Sequence, residues 1–97
     1  MIQKPRGTRD FRSDEMEKRR YLEKLMREEA ALFGFREIAT PIFENTELFT
    51  LKSGPNVIDE IYAFTDKGGR EIALRPELTA PAMRFFVNEL SSEPRPL

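Results

Sequence analysis

The sequence contains no cysteine and no histidine. Disulfides, thiolate nucleophiles, imidazole bases and His/Cys zinc sites are therefore excluded within these residues. An excess of basic charge is missing too. Lys and Arg number 16 against 17 Asp and Glu, a net charge of -1, whereas a stand-alone phosphate-binding module normally shows a basic surplus. Residues 1–29 carry nine of the basic and seven of the acidic residues; a solvated helix face accounts for that as well as a partner does. No stretch approaches the roughly 20 apolar residues of a membrane span. Lys4, Arg6 and Arg9 are followed by Asp10 and further charge, not by the apolar run of a signal peptide. The expectation is a chain without a membrane segment and with a cytoplasmic location. At 97 residues it makes at most one small domain with a thin core.

What is present falls into a readable order. Residues 1–12 form an irregular lead-in arm broken by Pro5 and Gly7. Ser13 or Asp14 offers an N-cap, and Asp14, Glu15 and Glu17 place negative charge where a helix macrodipole favours it. From there to about Phe33 the periodicity predicts a helix, with Leu22, Leu25, Met26, Leu32 and Phe33 on one stripe. Glu23 and Arg27 stand at i,i+4 in the favourable order for a surface pair, and Gly34 sits where a left-handed C-cap belongs. Phe35–Thr40 reads as a short strand entering Pro41, which has no N–H to give a ladder and so belongs at an edge or end. Residues 42–56 are mixed, with Ser53-Gly54-Pro55-Asn56 as a loop signal. Ile61–Thr65 and Arg70–Arg75 flank Asp66-Lys67-Gly68-Gly69, a hairpin over 60–75. In its second strand Ile72 and Leu74 share one face, and Glu71, Ala73 and Arg75 the other. Pro76 ends the strand. Thr79 can cap a last helix over 79–90, with Ala80 and Pro81 in its first turn and Met83, Phe86, Val87 and Leu90 as its apolar stripe. The tail from Ser91 to Leu97 reads as a loop. The sum is α+β with a largely antiparallel sheet flanked by helices.

Three segments carry a resemblance. Lys4-Pro5-Arg6-Gly7-Thr8-Arg9-Asp10-Phe11 is similar to the "PRGTRDF" opening of histidyl-tRNA synthetases, especially the archaeal type. Phe33-Gly34-Phe35-Arg36-Glu37-Ile38-Ala39-Thr40-Pro41-Ile42-Phe43-Glu44 looks like motif 1 of class II aminoacyl-tRNA synthetases, a helix and strand ending at a proline in the dimer interface. Ala73-Leu74-Arg75-Pro76-Glu77-Leu78-Thr79-Ala80-Pro81 resembles the family's "LRPE-x-T" segment. The resemblance implies the N-terminal portion of a class II catalytic domain (residues 13–44 its motif-1-like helix and strand) that works as a homodimer, with Pro41, Ile42 and Phe43 at the interface. It implies a ligase that joins L-histidine to ATP with Mg²⁺, forms histidyl-adenylate and passes the histidyl group to tRNA(His). It also implies that Glu77 and Thr79 hold the histidine α-ammonium. The motif 2 and motif 3 arginines, which act on ATP phosphates in the family, and the anticodon-binding domain have no counterpart in these residues. The expectation is therefore a fragment that binds no cofactor or metal alone, carries no catalytic residue and does not aminoacylate by itself.

The chemistry of Glu77 and Thr79 suits the implied role. A carboxylate makes a charge-assisted bond to an ammonium, and a neutral hydroxyl adds an acceptor without adding buried charge. Residues two apart point the same way if the strand conformation continues. The plain alternative makes Thr79 a helix N-cap and Glu77 a first-turn surface acid. Arg70, Arg75 and Arg84 are candidate phosphate ligands, although hairpin arginines are usually solvated. Arg6 and Arg9 face a choice between contacting tRNA or a neighbouring subunit and lying in a flexible arm. Gly68-Gly69 is a turn rather than a phosphate cradle, and Phe35, Phe43, Phe64, Phe85 and Phe86 are core or interface residues first. Two other readings compete: a synthetase-like regulatory subunit of ATP phosphoribosyltransferase, and a non-catalytic dimerisation module.

Overall fold

The computed structural model describes residues 1–95 and divides the chain into two compact units, Met1–Glu37 and Ile38–Leu97. In the first unit, Pro5–Thr8 forms a turn closed by the Thr8 N–H to the Pro5 carbonyl at 3.2 Å. Gly7 has φ +84°, the conformation such a turn demands at its third residue. Helix α1 runs Ser13–Leu32. Neither expected cap residue serves: Arg12 holds the N-cap position without a side-chain bond. The other end forms as expected. Gly34 takes φ +84°, the Gly34 N–H bonds the Ala31 carbonyl and the Phe35 N–H bonds the Ala30 carbonyl, the paired bonds of a Schellman motif. The Glu23–Arg27 pair is replaced by two others. Glu23 accepts from Arg20 at 2.7 Å, and Arg27 reaches across the C-cap to Glu37 at 2.6 Å. No residue of α1 is buried, so Leu22, Leu25, Met26, Leu32 and Phe33 stay open to solvent.

The second unit is a three-stranded antiparallel sheet with helices against it. The strands are β1 (Phe43–Asn45), β2 (Ala63–Thr65) and β3 (Glu71–Leu74), in spatial order β1-β3-β2. The α+β class with an antiparallel sheet is as expected. The register pairs Glu44, Ala73 and Ala63 across one face and Asn45, Ile72 and Phe64 across the other. The strand expected at Phe35–Thr40 falls instead at Phe43–Asn45, after Pro41 rather than before it. A strand needs a partner as well as β propensity, and β3 supplies one only from Phe43 onward. Helix α2 (Thr46–Ser53) follows at once, within a stretch that reads as mixed, and ends at Gly54 with φ +83°. Pro55–Glu60 is a 3₁₀ helix where the sequence suggests loop.

The hairpin's strands are shorter than expected, with five residues, 66–70, between them. Asp66 organises it: its N–H bonds the Arg70 carbonyl at 2.9 Å, and its carboxylate accepts from the Arg70 N–H and Nε, both at 2.8 Å. Helix α3 spans Thr79–Phe85 and continues as a π-helical turn, Phe86–Leu90. Phe49 of α2, Ala73 of β3 and Ala80 of α3 form the buried centre, with Leu48, Val57, Ile61 and Ala63 packed around it. Burying a phenylalanine such as Phe49 stabilises by about 1.5–3 kcal/mol. Ala73 and Pro81 are fully enclosed, and the small Ala73 side chain lets the helices approach the sheet. Ile72 is buried as well, so β3 is covered at its middle on both faces, while Phe43, Phe64 and Leu74 remain about half exposed. The expected loop over Ser91–Leu97 is a turn at its start; Pro96 and Leu97 lie outside the described residues.

Candidate site for an ammonium ligand

The link between β3 and α3 is where the sheet hands over to helix, and it positions Glu77. Pro76 stops the ladder, and Leu78 already has helical dihedrals (φ -108°, ψ -11°). The alternation expected to aim Glu77 and Thr79 the same way therefore does not apply, because the strand ends at Leu74. Thr79 is the first residue of α3 rather than its cap, and Leu78 at the N-cap has no acceptor to offer. Glu77 takes over that task. Its Oε2 accepts the Thr79 N–H at 2.7 Å, and both its oxygens lie near the Ala80 N–H, at 3.1 and 3.2 Å. These are donors that a helix start otherwise leaves unpaired.

Lys52, in the last turn of α2, completes the surroundings of Glu77. Its Nζ stands 3.4 Å from Oε2, with 31% of the Glu77 side chain exposed. Partial burial pushes the Glu77 carboxyl up, but the N–H groups of Ala80 and Thr79 and the Lys52 ammonium outweigh it, holding the group below the ordinary value for glutamate. Glu77 is thus an ionised acceptor with an open side. Thr79 is exposed, and its side chain lines an open groove of about 570 Å³ together with Lys52, Leu48, Leu51, Met83 and Val87. The arrangement can accept a cation at Glu77 and apolar atoms beside it.

The arginines suggested as phosphate ligands are each engaged by the protein. Arg70 closes the hairpin loop on Asp66, whose carboxyl is held low chiefly by the Arg70 N–H. Arg75 donates from its guanidinium to the carbonyls of Thr40 at 3.0 Å and Pro41 at 3.1 Å, and its N–H bonds the Ile42 carbonyl at 2.9 Å. Arg84, far from being a solvated residue, grips the Glu44 carboxylate with Nε at 2.7 Å and a terminal nitrogen at 3.2 Å. Glu44 is a buried acid, its side chain 5% exposed. In the first unit, Arg9 bonds Glu15 with both ends of its guanidinium and lies 4.1 Å from the Phe11 ring centre, with Arg19 at 4.3 Å. Arg9 is thus engaged by residues of its own unit.

Pro41, Ile42 and Phe43 are exposed, Ile42 by 66% and Phe43 by 52%. Lys52 and Glu44 are missed by sequence reasoning. The signal for α2 was available in Asn45 before it and Gly54-Pro55 after it, but nothing local pairs Glu44 with a residue 40 positions away. Among the described residues, no group of three His, Cys, Asp or Glu side chains could hold a metal. Glu44, Asp66 and Glu77 are each committed to a cation or to backbone N–H groups, so these residues do not fit a Mg²⁺ site. No helix in the described residues is long and apolar enough to cross a membrane.

The sequence model of histidyl-tRNA synthetase matches residues 7–97. A histidine–tRNA ligase of Archaeoglobus fulgidus is 65% identical over 99% of this chain, which spans 24% of that relative's length. The crystal structure of apo S. aureus histidyl-tRNA synthetase superposes with a TM-score of 0.82 at 40% identity, covering 97% of this chain and 22% of that one. A Bacillus halodurans structure described as an ATP phosphoribosyltransferase regulatory subunit/histidyl-tRNA synthetase gives a TM-score of 0.83 at 31% identity, over all of this chain and 25% of that one. The chain spans about a quarter of the length of the relatives it matches, and it belongs to the histidyl-tRNA synthetase family.

Proposed function

We propose that this chain is the N-terminal part of the class II catalytic domain of a histidine–tRNA ligase, and that it supplies the segment recognising the amino group of the substrate. The whole protein activates L-histidine with ATP to histidyl-adenylate, with Mg²⁺ held by residues outside this chain, and transfers the histidyl group to tRNA(His) in the cytoplasm. Glu77 carries the reading. It is an ionised, partly exposed carboxylate, fixed by two backbone N–H bonds and paired with Lys52, which lines a largely apolar groove. A charged acceptor held in place before the ligand arrives loses little freedom on binding. Thr79 adds a neutral acceptor from the same groove. No group in this chain is assigned a bond-making step.

Pro41, Ile42 and Phe43 are proposed as part of a homodimer interface. Three exposed apolar residues in succession, with the backbone at 40–42 gripped by Arg75, form a firm surface for a self-complementary contact.

The Bacillus halodurans neighbour favours a second reading, a regulatory subunit that keeps the fold without the ligase reaction. The relatives named histidine–tRNA ligase, at 52–65% identity, support the first. Histidine-dependent exchange of pyrophosphate into ATP by the full-length protein separates them. Exchange with histidine and not with other amino acids supports the ligase; histidine binding without exchange supports the regulatory subunit.

A further inference from the structure

The carboxylate proposed to hold the substrate's ammonium already faces one. Lys52 Nζ stands 3.4 Å from Glu77 Oε2, with 49% of the lysine and 31% of the glutamate side chain exposed. That spacing is longer than the roughly 2.7–2.9 Å of a tight charge-assisted bond. The lysine reaches it on a flexible four-carbon stem. Glu77 does not depend on Lys52 for its orientation, since the Thr79 and Ala80 N–H groups fix both of its oxygens. What Lys52 contributes is therefore charge rather than shape.

A lysine side chain and an amino acid's α-amino group present the same chemistry, a single positive charge with three N–H donors. Two such cations at one carboxylate repel each other. Resting on the reading of Glu77 as the ammonium acceptor, we propose that Lys52 is a resident counter-cation that the substrate's ammonium displaces. Displacement exchanges one ammonium for another and gains almost nothing in itself. A ligand gains only through the rest of its structure, which the adjoining groove of Leu48, Leu51, Met83 and Val87 is placed to contact. Lys52 thereby lowers the affinity of every ammonium ligand for Glu77 and leaves the groove contacts to decide which ligand binds.

The test is Lys52→Met in the full-length protein, with Lys52→Arg as the charge-keeping control and histidine as the titrant. A partly exposed ion pair is worth about 0.2–1 kcal/mol, so removing the competitor should tighten histidine binding about 1.5- to 5-fold. Lys52→Arg should bind as wild type. The advantage of Lys52→Met should shrink as added salt screens the pair. Weaker or unchanged histidine binding in Lys52→Met, while Glu77→Gln still impairs it, overturns the displacement role. If Glu77→Gln leaves histidine binding intact, it is the underlying reading of Glu77 that fails, and the inference falls with it.

Discussion

Replacing Arg84 by methionine should expose how strongly this fold depends on one ion pair. The Glu44 carboxylate sits on the edge strand β1 with 5% of its side chain exposed, and its two oxygens receive Arg84 nitrogens at 2.7 and 3.2 Å. Methionine keeps most of the aliphatic bulk but leaves the carboxylate buried without a cation. Removing one partner of a buried pair costs about 3–5 kcal/mol, because the remaining charge has lost its water and gained nothing. Arg84 is itself 31% exposed, so water can reach the site and the lower end, about 3 kcal/mol, is expected. Against a total stability of about 5–15 kcal/mol that is a large loss. The double variant Glu44→Gln/Arg84→Met removes both charges and should return most of the stability, to within about 1.5 kcal/mol of wild type. Urea unfolding of full-length wild type, Arg84→Met, Glu44→Gln and the double variant gives the cycle. A double variant as unstable as Arg84→Met alone would refute the reasoning, since the cost would then come from packing rather than from an orphaned charge.

Other expectations follow from the same structure. Ile42→Asp or Phe43→Asp should weaken dimerisation and activity of the full-length protein together, which sedimentation and exchange assays would show; an unchanged dimer removes these residues from the interface. The 97-residue chain alone should be marginally stable or self-associated, because α1 buries none of its apolar stripe and Phe43, Phe64 and Leu74 stay half open. A cooperative monomer with a high melting temperature would contradict that. Acid should loosen the start of α3. The Glu77 carboxyl is held below its ordinary 4.5, so its contribution to stability is present above that value and is lost as pH falls through the lowered folded value. Glu77→Gln should flatten this part of the acid unfolding curve, and an unaltered curve would show that the carboxylate contributes nothing there.

Helix α1 was legible because its signals are local and agree: a long apolar stripe, acids in the first turn and Gly34 at the C-cap. The hairpin was legible for the same reason, although Asp66 rather than the glycines does most of the closing. Helix α2 was not, since eight residues show little periodicity and its flanking Asn45 and Gly54-Pro55 read equally well as loop. The misplaced strand has a different cause. Phe35–Thr40 has strand propensity, but only pairing with β3 decides where a strand forms, and that contact joins residues about 30 apart in sequence. The Glu44–Arg84 pair is equally non-local. At the candidate site, the local reading gave the helix cap to Thr79, whereas Glu77 accepts the free N–H groups. Threonine is the commoner cap, yet the early helical turn at Leu78 brings the longer Glu77 side chain onto the free N–H groups.

Titrating histidine and ATP separately against full-length wild type and Glu77→Gln tests the central assignment most directly. Gln keeps the shape and one acceptor for the α3 N–H groups while removing the charge. Losing one charged hydrogen bond should cost about 1.5–3 kcal/mol, a 10- to 150-fold loss of histidine affinity, with ATP binding nearly unchanged. A histidine constant equal to wild type in Glu77→Gln would contradict the account.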